Sequence, residues 1–532
     1  MWANLPLRAP RTGSRRQDGE STRQWPTGAV MDPQPDRPRA ALVTRRSVLS
    51  AGAALALGGG AITGCSPILS GDVPLIPRWE DLRRKLSGTL TVRGDAGWDE
   101  AARTFNPLFD IHHPGAVAFC ASEQDVARCV EFASSSGIPI AARSGGHSYA
   151  GYCVPTDGLV VDLGRMAAVS VTGTRATVGS GARLIDVYAG VWSAGRMLAG
   201  GSCPTVGIAG LTLGGGVGVL TRKFGLTCDQ LISARAVTAD GGIRVLSPDS
   251  EPDLFWAIRG VGGGNFCIAT EFTFETAQAT DLTVFTLDYA PGDAAAIMHR
   301  WLMYMGDAPD ELWTTLHAVA GTTPQCRIVG CIAKTDDPRA LVDALRRAIG
   351  IVPSDRFVAD KTFLDAMKFM GGCSTLTVAQ CHPAWTGAAR GQLQREAFVA
   401  SSRMVPHAAI DTSRIAALLV GDRGLTFIFD SLGGAVSRVA ADATAFPHRR
   451  AAASIQIYHG VGTDSSVAYR RVDEARDRLA EICGGAAYVN YIDPRLPDWA
   501  AAYYGDNLAR LRRIASAYDP SGVFEFTQAV RP

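Results

Sequence analysis

Arg143-Ser144-Gly145-Gly146-His147-Ser148 follows a strand-like run at 138–142, and further along stands Gly201-Ser202-Cys203-Pro204-Thr205-Val206-Gly207-Ile208-Ala209-Gly210-Leu211-Thr212-Leu213-Gly214-Gly215-Gly216. A strand ending in Ser-Gly-Gly presents successive backbone N–H groups, a nest suited to a pyrophosphate. Taken singly, most such turns bind nothing, and a lone His such as His147 is more often structural than functional. The loop is not a GxGxxG at the mouth of a helix, so a nicotinamide-binding fold is not supported. The second stretch holds too much glycine for a good helix or a regular strand. It is expected to lie flat along a ligand, and a cysteine entering it is placed to react with that ligand or pack on it.

Around these two stretches, short strands alternate with helices. Ser122 reads as the N-cap of a helix that carries Val126, Val130 and Ala133 on one face and stops at Gly137. Residues 159–163 read as a strand, 183–194 as a helix, and 231–246 as a hairpin turning at Asp240-Gly241-Gly242. Glycines cluster again at 260–264, before a strand at 266–274. Residues 106–280 therefore form one cofactor-sized α+β unit. A second α+β domain, 281–485, reads as a sheet backed by helices such as 337–349 and 466–482. The segment 486–532 is expected to fold back onto the first unit.

With 52 Lys and Arg against 51 Asp and Glu, the chain has neither the basic stripe of a nucleic-acid channel nor that of a membrane-surface protein. Its 12 cysteines show no regular disulfide spacing and no CxxC pair, so no metal site is expected and most should be small core residues. Residues 1–70 read as a disordered leader and an export signal. Arg45-Arg46 precede a weakly apolar run at 48–62, resembling a twin-arginine signal, and Ile62-Thr63-Gly64-Cys65 resembles a lipoprotein processing box with Cys65 as anchor. The expectation is an exported protein, soluble or lipid-anchored.

The order RSGGHS, GSCPTVGIAGLTLGGG, GGGNF and TEF, followed at the C-terminus by YVNYID, YYGDNLARL and YDPSGVF, resembles the FAD-linked oxidases of the vanillyl-alcohol-oxidase superfamily. The similarity is closest to the berberine-bridge-enzyme-like branch with its bacterial sugar oxidases. The resemblance implies a two-lobed FAD-binding domain joined to an α+β substrate domain with a helix-backed sheet. It implies FAD held by two covalent bonds, from the ring of His147 to the 8α-methyl and from the Cys203 sulfur to C6. Such tethers fix the isoalloxazine and should raise its potential. Arg143, Ser144, Gly145, Gly146 and Ser148 would cradle the pyrophosphate. Val206, Gly207, Gly210 and Leu211 would line the cofactor's path, Ile268 would sit near the adenine, and Tyr504 and Asn507 would help from the tail. Two positions depart from the family pattern: Cys267 replaces a glycine after Asn265-Phe266, and Leu211 stands where plant members commonly have His.

Oxidation of an alcohol needs a base for the O–H proton, and Tyr491 in the Asn-Tyr motif takes that role by the resemblance. A free phenol titrates near pH 10, so a neighbour must assist it. Tyr488, Tyr458 and Gln456 are expected on the substrate side, since 454–458 alternates as a strand does. The reading is an oxidase of a sugar or glycosylated metabolite that returns electrons to oxygen. A dehydrogenase or oxidative-cyclisation enzyme using another acceptor is the first alternative, and an exported non-catalytic binding protein on the same fold is the second.

Overall fold

The computed structural model describes residues 77–385, 390–422 and 424–532. The expected export signal and Cys65 lie outside them. Three large sheets organise the described residues, beside a two-stranded one, Arg196–Met197 with Ala277–Gln278. The first takes its strands in the order Thr89–Val92, Ala116–Phe119, Leu159–Asp162, Ile140–Arg143. Its first pair is antiparallel and the other two are parallel. The helix Glu123–Ser136 carries the chain from Ala116–Phe119 to Ile140–Arg143, the parallel strand on the far side of Leu159–Asp162. Ser122 caps that helix by accepting from the Asp125 N–H, and Gly137 closes it at φ 62°. This sheet begins at Thr89, upstream of the boundary at 106 drawn from the sequence.

The second sheet is antiparallel, in the order Val169–Thr172, Arg175–Gly179, Cys267–Glu275, Leu231–Thr238, Ile243–Leu246. The third has seven antiparallel strands: Asp355–Lys361, Leu282–Asp288, Gln325–Ile332, Leu312–Val319, Leu425–Ser431, Ala453–Gly460 and Phe398–Val405. Alternation sorts its two faces. Ile455 and Ile457 enter an apolar core shared with the helices Ala294–Asp307, Pro338–Ile349 and Ser465–Cys483. Gln456 and Tyr458 therefore point the other way, beside their register partners Ile428 and Thr426.

Some local expectations change. The glycine-dense stretch does contain a helix, Ile208–Leu213. Ile208, Ala209 and Leu213 bury its inner side, while Gly210 is exposed with nothing within 4 Å of where a Cβ would stand. The backbone accommodates Cys267 because the left-handed residue is its neighbour Phe266, at φ 63°, and Cys267 opens the strand as a core side chain. Cys373 and Cys381 form a disulfide that the irregular spacing did not announce. The C-terminal segment is tied back to the glycine cluster: Val530 N–H donates to Asn265 at 2.9 Å, and Tyr504 O–H to the Val261 carbonyl at 2.7 Å.

Candidate active site

The strand Ile140–Arg143 delivers its terminal residues to a cavity of about 480 Å³, lined in part by Arg143, Ser144, Gly145, Gly146, Arg183 and Asp186. Arg143 is not free there, because its Nε donates to Asp162 at 2.6 Å in a buried ion pair. Arg103 and Arg165 also line the cavity, and so does Arg183. Its Nη1 donates to the Thr205 and Gly145 carbonyls at 2.8 and 3.4 Å, and no carboxylate among the described residues pairs with it. Sequence reasoning missed Arg183, which stands at the N-cap of the helix Leu184–Ser193 with no motif to mark it. Ser144 Oγ donates to the Ser180 carbonyl at 2.6 Å, and Ser148 Oγ accepts from the Tyr152 N–H at 3.1 Å.

The two glycine-rich stretches touch because they lack side chains. A Cβ on Gly207 would come within 2.0 Å of Ser144 Oγ, and one on Gly145 within 2.2 Å of the Gly207 nitrogen. This contact brings the two proposed attachment residues to one hydroxyl. His147 Nε2 lies 2.9 Å from Thr205 Oγ1, and Cys203 Sγ lies 3.5 Å from the same oxygen. Phe105 stacks on the His147 ring at 4.0 Å. Burial, with the Arg183 charge adding to it, pushes the His147 pKa down to about 3, so the ring is neutral and keeps a lone pair.

Beyond His147 the phenols gather. Tyr149 stacks on Tyr491 with ring centres 5.6 Å apart and planes 8° apart, and the Tyr149 oxygen accepts from Gln456 Nε2 at 2.9 Å. Tyr491 O–H donates to Asp430 Oδ2 at 3.1 Å. Burial raises the Asp430 pKa to about 6, with the Tyr491 hydroxyl pulling it back only in part. Burial and the Asp430 charge hold Tyr491 itself well above its ordinary value. Asp430, like Tyr149, was absent from the sequence reading; it sits in the strand Leu425–Ser431, an apolar run that carries no motif.

Other expected residues have different surroundings. The Tyr488 oxygen accepts from the Gly216 and Val217 N–H groups, both at 3.0 Å, and its ring is buried, so it braces the glycine stretch. Asn490 ties Tyr488 to the Leu211 carbonyl. Tyr458 donates to Glu396 at 2.6 Å. Ile268 is packed in the core under the first sheet, Val206 and Leu211 are half-buried, and the Asn507 amide donates to the Ala441 and Thr444 carbonyls.

The site fits a flavin dinucleotide. The cavity carries a cation and a Ser-Gly-Gly turn for phosphates, and Gly210 leaves open space beside the stretch that holds Cys203. Among the described residues no cluster could hold a metal ion, and no helix is long and apolar enough to cross a membrane.

Known proteins agree with this geometry. Residues 114–247 match the FAD binding domain profile, and residues 487–531 match the profile described as berberine and berberine like. The glucooligosaccharide oxidase of Sarocladium strictum is 31% identical over 482 residues, spanning 82% of this chain and 91% of that protein. The uncharacterized FAD-linked oxidoreductase YgaK of Bacillus subtilis is 29% identical over 460 residues, spanning 85% and 98%. Among solved structures, Physcomitrella patens BBE-like 1 superposes with a TM-score of 0.78 at 26% identity, covering 85% of this chain and 98% of that one. This chain belongs to the FAD-linked oxidoreductases of the berberine-bridge-enzyme-like branch of the vanillyl-alcohol-oxidase superfamily.

Proposed function

We propose that the chain is an oxidase of sugar-type alcohols that holds its flavin on both His147 and Cys203 and passes electrons to oxygen. The observation that carries this reading is the pairing of half-buried Tyr491 with buried Asp430, stacked through Tyr149 against the loop that bears His147. A phenol alone is too weak a base at neutral pH, but Asp430, with its pKa up at about 6, is a stronger proton acceptor than an ordinary carboxylate. As Tyr491 takes the substrate O–H proton, its own proton passes to Asp430. FAD, when bound, would supply the hydride acceptor and the route by which the electron pair reaches oxygen, giving hydrogen peroxide. Polar groups on the face of the third sheet opposite its helices, Gln456, Tyr458 and Thr426, suit a substrate rich in hydroxyls, in line with the name of the Sarocladium strictum relative. His147 and Cys203 support double attachment by flanking one Thr205 hydroxyl.

The test is peroxide release from glucose, cellobiose and longer oligosaccharides under air. Turnover with peroxide is the expected result. Turnover with a dye but not with oxygen would make the protein a dehydrogenase, and binding without turnover of any alcohol would sink the enzymatic reading. We also propose export, on Arg45-Arg46 and on the Cys373–Cys381 disulfide, a bond that persists in oxidising compartments. Cell fractionation decides this: the doubly substituted Arg45→Lys, Arg46→Lys chain should stay in the cytoplasm, and unchanged export of it would contradict the proposal.

A further inference from the structure

A second cavity, of about 680 Å³, shares no lining residue with the first. Arg403 lines it from the strand Phe398–Val405. Its neighbours Val399 and Val405 belong to the helix-backed core, so Arg403 leaves the sheet on that side, away from Gln456 and the active-site face. The residue is 3% exposed. Its Nε donates to the Arg476 carbonyl at 3.1 Å and its Nη1 to the Gly485 carbonyl at 3.3 Å. Nη2 has no acceptor among the described residues, and none of their carboxylates forms an ion pair with the guanidinium. Asp477 and Asp493, the acids that favour its charge, each bond to Arg476 at 2.9 Å. Burial and the Arg476 charge both oppose ionisation of Arg403, yet arginine stays protonated in proteins.

A buried cation without a contact counter-ion is costly, and an anion entering the cavity relieves that cost. The planar fork of a guanidinium matches a carboxylate with two parallel hydrogen bonds. The mouth of the cavity narrows the choice. Asp442, Asp498 and Asp506 stand there, all exposed. Three carboxylates disfavour a dianionic phosphate more strongly than a monoanionic carboxylate, and they accept hydrogen bonds from hydroxyls. Ala486, Pro497 and Ala501, with His448 and Asn507, are among the other lining residues, and the volume lies within the range of small-molecule sites.

We infer that this cavity binds a polyhydroxylated carboxylate, a sugar acid, with its carboxylate on Arg403 and its hydroxyls toward Asp442, Asp498 and Asp506. The site is separate from the flavin centre and does not depend on which alcohol is oxidised there.

Titration calorimetry of the flavin-loaded protein with D-gluconate tests it. The expected result is one site per chain, absent for glucose and for inorganic phosphate. Arg403→Leu should weaken gluconate binding by at least about tenfold. Ala501→Trp, which fills the mouth and leaves Arg403 in place, should do the same, while Tyr491→Phe should bind as the parent does. Should Arg403→Leu fail to fold, Ala501→Trp decides. No gluconate binding, binding unchanged in Ala501→Trp, or phosphate bound as well as gluconate would each overturn the inference. Loss of binding in Tyr491→Phe would place gluconate in the active site and overturn it too. A protein that oxidises no alcohol but still binds gluconate through Arg403 would sink the oxidase reading alone.

Discussion

Asp430 sets the pH behaviour of the proposed chemistry. Its folded pKa, about 6, lies above the ordinary 3.8, so its accepting form is lost as the pH falls through 6. Turnover is expected to drop about tenfold per pH unit below that point. Asp430→Asn should remove this acid limb and lower kcat by about 10²–10⁴, while Tyr491→Phe should lower kcat similarly with the flavin still in place. A pH–rate profile of the three proteins checks this, and an acid limb that survives in Asp430→Asn would assign it to another group. The same shift has a stability consequence of opposite sign. A carboxyl with a raised folded pKa stabilises the fold fully below its unfolded pKa, near 3.9, and loses that contribution as the pH rises through 6. Burying the ionised Asp430 therefore costs on the order of 3 kcal/mol at pH 8. Asp430→Asn should melt higher than the parent at pH 8, and the gap should close below pH 4. Equal melting temperatures at both pH values would contradict this environment for Asp430.

At the scale of elements, the decisive contact is between the two glycine-rich stretches. Gly207 packs so tightly on Ser144 and Gly145 that a methyl group has no room, whereas Gly210 faces open space. Gly207→Ala should separate the stretches and yield protein with little flavin. Gly210→Ala should fold as well as the parent, so its flavin content reports whether the cofactor runs past that residue. Flavin per chain, read by absorbance, measures both, and full loading in Gly207→Ala would dismiss the contact as the organising feature. Much of this level was legible in the sequence. The cap at Ser122, the stop at Gly137 and the hairpin at Asp240-Gly241-Gly242 use local chemistry that a sequence displays directly. The short helix Ile208–Leu213 was not legible, because burial of Ile208, Ala209 and Leu213 overrides glycine's poor helix propensity. The bracing role of Tyr488 escaped for a similar reason: its partners are backbone N–H groups far away in the chain.

On the scale of the whole molecule, the proposed substrate side is assembled from parts that no local pattern joins. Tyr149 comes from the loop that bears His147, Asp430 and Gln456 from adjacent strands of the third sheet, and Tyr491 from the returning C-terminal segment. Register in the sheet puts Gln456 opposite Ile428, two residues from Asp430, and only pairing across distant segments creates that neighbourhood. Family motifs in the chain therefore suggested cofactor residues and Tyr491, while Asp430, Tyr149 and Arg183 waited for the fold. The same architecture brings His147 from one glycine-rich stretch and Cys203 from the other to Thr205, and double attachment of the flavin rests on that convergence. The most direct test is the mass of the acid-precipitated chain, for the parent, His147→Ala, Cys203→Ala and the double variant. The account predicts that the parent and both single variants keep one flavin on the polypeptide, and that the double variant releases it. Flavin that washes out of the parent chain would contradict it.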